Sequence, residues 1–158
     1  MIRPITPDDT PGLIAIAKEI GFELDELQQL DAMFSDYFDS NTDNDHFCVT
    51  DDDRGLVGVA YCVPEPMTNR TWNLLLIAVR PDYHRQGRGK ALLRHVEQTL
   101  MTRGERLLLV ETSSLEGFQP AREFYRKCGY EQVGRIPDFY DIGDDKIVFR
   151  KLLATPSN

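Results

Sequence analysis

The chain has 158 residues, 41% hydrophobic and 28% charged, enough for one domain with a real core; disorder throughout and two generous domains are both excluded. Its 18 Lys+Arg against 26 Asp+Glu give a formal net charge of −8, which argues against a protein whose main task is coating nucleic acid or anionic membrane. No apolar run approaches the roughly 20 residues of a spanning helix, and the N-terminus lacks the apolar stretch of a signal peptide, so a cytoplasmic protein is expected. In chain order, residues 1–6 read as a short strand, after which Asp8 or Asp9 caps a helix carrying Leu13, Ile16, Ala17 and Ile20 on one face and ending at Gly21. A second helix from about Asp25 gathers Leu27, Leu30, Phe34, Tyr37 and Phe38, and the polar residues 40–45 close it. Residues 46–50 and 56–63 read as strands joined by the acid-rich turn 51–55, which ends in Gly55. Residues 71–79 (TWNLLLIAV) are nearly continuous apolar sequence, as in a central strand covered on both faces. A helix over about 89–103 follows, then a buried strand over 107–112; strand, crossover helix and strand imply a parallel unit. Pro120 opens a short helix that Gly129 ends, and strands near 130–135 and 146–152 complete the pattern. The expectation is one mixed α/β domain over residues 1–153, with a frayed tail at 154–158.

Charge is unevenly placed. Residues 36–53 hold seven aspartates and no Lys or Arg, a stretch that reads as a solvated face, whereas residues 80–94 hold five Lys/Arg against Asp82 alone. The three cysteines, Cys48, Cys62 and Cys128, form no CxxC pair and give no zinc signature, so no metal is indicated.

The basic stretch coincides with VRPDYHRQGRGKALL (79–93), where a central strand ends, a glycine-rich turn follows and an amphipathic helix begins. Glycines let backbone N–H groups converge, and a helix N-terminus adds unsatisfied donors and the positive end of its dipole, so a phosphate fits there. Arg85, Arg88 and Lys90 add side-chain charge. A Walker A loop is excluded, because His84 stands where its first Gly belongs and Ala91 where its metal-binding hydroxyl belongs. A dinucleotide fingerprint fails as well, since Leu92 occupies the third glycine position and the motif follows a late strand.

What remains, Gln86-Gly87-Arg88-Gly89-Lys90-Ala91, fits Q/R-x-x-G-x-G/A and resembles the GNAT superfamily of acetyl-CoA-dependent N-acetyltransferases. A second segment, AREFYRKCGY (121–130), is similar to the family's AxxFYxxxGF with Tyr for the last Phe, and the order of elements matches over nearly the whole chain. The resemblance implies an α/β fold with a mixed, mostly antiparallel sheet, a splayed parallel central strand pair and about four helices. It implies acetyl-CoA as co-substrate, with Ile77, Ala78 and Val79 pairing with the pantetheine arm and Gln86 through Ala91, Arg85 beside them, cradling the pyrophosphate. Tyr125 matches the tyrosine that protonates the departing thiolate in many members. Phe118 departs from the pattern, standing where the family often has Asn.

An attacking amine must be neutral, and reference pKa values of roughly 8 for an α-amine and roughly 10.4 for Lys call for a base or a desolvating pocket. Glu111, near the end of the strand over 107–112, is the candidate base, with Glu65 second; the first half of the central strand offers Thr71, Trp72 and Asn73 and no carboxylate. The acceptor is expected to be a small-molecule or peptide amine, its pocket built by the first two helices, by residues 65–72 and by a loop over 137–145, with Tyr140 a wall. Homodimers are frequent among proteins similar to this one. The alternative is a CoA-binding sensor or interaction module without catalysis.

Overall fold

The computed structural model describes residues 1–40 and 46–153; the expected close of the second helix over 40–45 and the frayed tail fall largely or wholly outside them. The described elements are β1 (Ile2–Pro4), α1 (Thr10–Glu19), α2 (Leu24–Ser40), β2 (Phe47–Asp52), β3 (Leu56–Pro64), β4 (Thr71–Val79), α3 (Arg88–Thr102), β5 (Leu107–Ser113), α4 (Gln119–Lys127), β6 (Glu131–Asp141) and β7 (Asp144–Leu152). The strands form one seven-stranded mixed sheet in the order β1-β2-β3-β4-β5-β7-β6, in which β4 and β5 are parallel. No described helix is long and apolar enough to cross a membrane. Contacts group the residues into two compact units, Met1–Val63 with Leu76–Val96, and Pro64–Leu75 with the chain from Glu97 on; β4 and α3 pass through both.

In the first unit β1 pairs antiparallel with β2, across the two intervening helices, and β2 with β3. Pro11 lies in the first turn of α1, and Gly21, at a φ of +107°, turns the chain out of it. The apolar stripes of the two helices then supply Leu13, Ile16, Ala17, Leu30 and Phe34 to a core shared with Cys48, Val59, Tyr61, Leu76 and Ala78. Each fully buried Leu, Ile or Phe there contributes about 2 to 3 kcal/mol.

One part of this unit departs from the sequence reading. Asp53 is exposed as expected, but Asp51 and Asp52 are not part of a solvated acidic face. Asp51 is buried at 3% exposure, 3.3 Å from the Met1 ammonium and 2.9 Å from Arg88, while Asp52 pairs with Arg3 at 3.0 Å. The physical reason is the β2–β3 hairpin, which brings three consecutive acids within reach of cations far away in sequence.

In the second unit the first half of β4 pairs with β5, Thr71 to Leu74 against Leu107 to Val110, and β5 pairs along its length with β7. Strands β6 and β7 are longer than expected, and the anticipated loop over 137–145 is mostly strand. Their ladder slips between Ile136 and Asp141. Pro137 has no N–H to give, Asp138 sits at a φ of +54°, and its N–H donates 2.8 Å to the Asp145 carboxylate in place of a ladder bond.

Candidate active site

The glycine-rich turn of the first unit has the geometry of an anion cradle. After Val79 the chain makes a 3-10 turn over Pro81–Tyr83, and the His84 ring nitrogen Nε2 lies 2.7 Å from the Val79 carbonyl oxygen. Arg85 and Gly87 then adopt φ values of +63° and +76°, which turns successive backbone N–H groups toward one side. Helix α3 starts at Arg88, and its first closed bond runs from the Ala91 N–H to the Gly87 carbonyl at 3.0 Å. The N–H groups of Arg88, Gly89 and Lys90 therefore precede any intrahelical partner and lie at the positive end of the helix. A Cβ at Gly87 would meet nothing within 4 Å, so the cradle is open.

The side chains there divide. Gln86 is exposed and donates to the Asp82 carbonyl at 3.2 Å. Arg85 and Lys90 are exposed and make no ion pair among the described residues. Arg88 donates to Asp51 at 2.9 Å and Asp53 at 2.7 Å and lies over the Tyr83 ring at 5.4 Å. Its charge thus fastens the acidic hairpin to the start of α3, and Arg85 and Lys90 are the cations left for an anion.

A position that sequence reasoning missed holds this arrangement. A Cβ at Gly58 on β3 would lie 2.8 Å from the Ala78 carbonyl oxygen and 2.9 Å from a Leu92 methyl, so glycine is what lets β3, β4 and α3 approach one another here. On β4 itself the parallel ladder ends at Leu74. Beyond it Leu75 is 46% exposed and Ile77 and Val79 are half-buried, whereas Ala78 is buried.

The acid-base groups belong to the second unit. Asn73 stands opposite Leu109 across the parallel ladder, and Glu111, two residues further along β5, faces the same side at a diagonal position. Across β7, Glu111 is paired in register with Val148 and Ser113 with Lys146, which puts Lys146 diagonal to Glu111 by the same rule. The contacts follow from that register. The Asn73 Nδ2 group donates to Glu111 Oε1 at 2.9 Å and to Glu65 Oε1 at 2.9 Å, and Lys146 Nζ makes a close ion pair with Glu111 Oε2. Both carboxylates considered as bases therefore converge on one amide. The sequence did hold a signal for Asn73, since a lone polar residue inside TWNLLLIAV must be satisfied by partners; Lys146 gave none.

Tyr125 is 7% exposed and packs against Tyr130 and Phe149, with ring centroids 6.1 and 5.7 Å away. Arg122, one turn earlier on α4, holds the preceding loop by donating to the Ser113 and Leu115 carbonyls at 2.7 and 2.9 Å. Burial pushes the Tyr125 phenol well above its ordinary value, with smaller contributions from Cys128 and Tyr140. Its hydroxyl accepts and donates no hydrogen bond among the described residues, unlike that of its neighbour Tyr130, which donates to Glu97 at 2.6 Å. Tyr140 is raised by burial and then by the charges of Glu111 and Asp144. Phe118 is 47% exposed at the start of α4.

The family model of the acetyltransferase (GNAT) domain matches residues 43–132. The chain belongs to that family and is an acyltransferase. Among solved structures it is similar to a protein assigned to the GNAT family of acetyltransferases from Desulfovibrio desulfuricans, at 29% identity and TM-score 0.91, covering 98% of this chain and 99% of that one. The fold is also that of the ribosomal-protein-S18-alanine N-acetyltransferase from Escherichia coli, at 22% identity, TM-score 0.80 and coverage of 100% and 96%. An aminoglycoside 6'-N-acetyltransferase complexed with coenzyme A shares it at 16% identity, TM-score 0.79 and coverage of 100% and 99%. A search of curated protein sequences found no match.

Proposed function

We propose that the protein moves an acetyl group from acetyl-CoA to a primary amine by direct attack, with both substrates bound together. The observation that carries this reading is Tyr125, a side chain 7% exposed whose hydroxyl makes no hydrogen bond among the described residues, in the segment that matches the family's tyrosine. The open cradle from Arg85 to Ala91, with Arg85 and Lys90 making no ion pair among the described residues, fits the pyrophosphate of CoA, and the backbone of Ile77, Ala78 and Val79 fits its amide-rich arm as an added strand.

The reaction asks three things of these residues. The amine loses a proton, directly or through water, to the carboxylates joined by Asn73. Its nitrogen lone pair attacks the thioester carbonyl, whose oxygen takes a backbone N–H of Ala78 or Val79 as negative charge develops. The C–S bond breaks, the sulfur takes the proton of Tyr125, whose neutral form burial favours, and the second proton of the attacking nitrogen passes through water to the phenolate, which restores Tyr125. No acyl-enzyme is needed. The solved proteins named above include an aminoglycoside 6'-N-acetyltransferase and a ribosomal-protein-S18-alanine N-acetyltransferase, which supports a small-molecule or peptide amine as acceptor. The second reading, a CoA-binding module without catalysis, draws on the Lys146 ammonium, which occupies Glu111 Oε2.

Thiol release from acetyl-CoA in the presence of an amine panel decides between the two. Turnover above hydrolysis is expected, and Tyr125→Phe is expected to lower kcat by about 10² or more. Thermal stabilisation by CoA with no turnover by any amine would instead establish the binding module.

A further inference from the structure

The two carboxylates bound to Asn73 are not equivalent. Glu111 is neutralised by Lys146, which also lies over the Phe139 ring at 4.2 Å. Glu65 has no cationic partner among the described residues. Its backbone is pinned by an N–H donated to the Thr71 carbonyl at 2.8 Å, and its side chain is half-buried and held at 2.9 Å by Asn73. The cluster of Glu65, Glu111 and Lys146 thus keeps one uncompensated negative charge, and that charge resides on Glu65. Asn73 is 4% exposed, and its carbonyl oxygen Oδ1 is buried without a hydrogen bond. The two bonds from Nδ2 fix the amide's orientation, because a flipped amide would set its oxygen against both carboxylates. An unmet buried acceptor costs about 1 to 3 kcal/mol; such a group is retained where an amide must stand between two acids and a donor must be received.

We propose that Glu65, positioned by Asn73, is the anchor for the acceptor's ammonium group, and that the acceptor is a cationic primary amine with no carboxylate near the nitrogen. The inference rests on the acetyl-transfer reading and names the substrate class of that site. Glu65 binds the R–NH3⁺ group and receives, directly or through water, the one proton that the amine gives up before attack, and Glu111 with Lys146 supplies a neutral flank. A carboxylate on the acceptor would face the unpaired charge of Glu65 and be rejected.

The test uses the full chain, saturated with CoA, and three probes of similar size: 1,4-diaminobutane, 4-aminobutan-1-ol and 4-aminobutanoate. Calorimetric titration is expected to rank them in that order of affinity. Glu65→Gln, which keeps the hydrogen bond from Asn73 and removes only the charge, is expected to weaken the diamine by at least about tenfold while leaving CoA affinity and the melting temperature unchanged. Asn73→Leu is expected to raise KM for the amine more than it lowers kcat, without loss of stability, because it also removes the orphaned carbonyl; a merely structural Asn73 would lower the melting temperature instead. If Glu65→Gln failed to fold, Glu65→Asp, which keeps the charge but withdraws it by a methylene, is expected to weaken the diamine in the same direction. Equal binding of the diamine by parent and variant, or no binding of any probe by the parent, overturns the subsite. Amine binding without thiol release would overturn acetyl transfer and leave the subsite standing; transfer by Glu65→Gln at parental KM would do the reverse.

Discussion

Arg88 shows how one side chain can change role between sequence and structure. Counted along the chain it is one of the cations of a phosphate loop, but it donates to Asp51 and Asp53, 37 and 35 residues away. Those bonds hold its guanidinium even further above its ordinary value, Asp53 contributing most. Its loss should therefore be felt in stability before it is felt in cofactor binding. Arg88→Gln is expected to lower the melting temperature and to change CoA affinity by less than about threefold, whereas Lys90→Gln or Arg85→Gln should weaken CoA several-fold, more at low salt than at high. Parallel thermal melts and CoA titrations of the three variants check this, and a loss of CoA affinity in Arg88→Gln larger than in the other two would return the phosphate role to Arg88.

Among elements, legibility followed the range of the interactions that define them. The limits of β4, the first-turn prolines of α1 and α4 and the glycines that follow these helices could be read because hydrophobic period, proline and glycine act within a few residues, although Asp9 makes no side-chain cap to α1. The same holds for the cradle, since a glycine-rich turn entering a helix is a local pattern. The lengths of β6 and β7 were not legible, because the pairing breaks off after Ile136 and resumes at Asp141, with the Asp145 side chain taking the Asp138 N–H in between. Nor was the Asn73 cluster, whose members lie 8 and 38 residues from Asn73 and meet only through strand register. Gly58 belongs to the same class: its need for glycine is created by Ala78 and Leu92. Gly58→Val would force β3 away from the Ala78 carbonyl and the Leu92 methyl, costing about 1 to 3 kcal/mol and moving the first turn of α3. The expected outcome is a lower melting temperature together with weaker CoA binding; a variant that melts earlier but binds CoA like the parent would separate packing here from the cradle's geometry.

Over the whole molecule, a net charge of −8 means that many carboxylates titrate on acidification, and those paired in the native state set how stability responds. Asp9 is the clearest case. Arg3 binds it through 2.8 and 2.9 Å contacts, and the Thr6 N–H donates to it at 2.8 Å. The Arg3 guanidinium is the main reason its carboxyl lies at about 2 rather than 3.8, despite opposing burial. Asp52 is lowered chiefly by the same arginine, and Asp145 by the Asp138 N–H and then by Arg135. All three groups bind protons less readily folded than unfolded, so the unfolded chain carries more protons between about pH 2 and 5 and stability rises with pH across that window. Their contribution is complete at neutral pH and is lost as the pH falls through the folded values. Arg3→Met removes the partner common to Asp9 and Asp52; the Asp9 pairing accounts for about 1 to 2 kcal/mol at pH 7. Denaturant unfolding from pH 7 to pH 2 should therefore show the two proteins differing at neutral pH and converging near pH 2, with the shallower slope in the variant. Parallel curves over the whole range would mean that Arg3 stabilises through packing of its stem and not through the charge of Asp9.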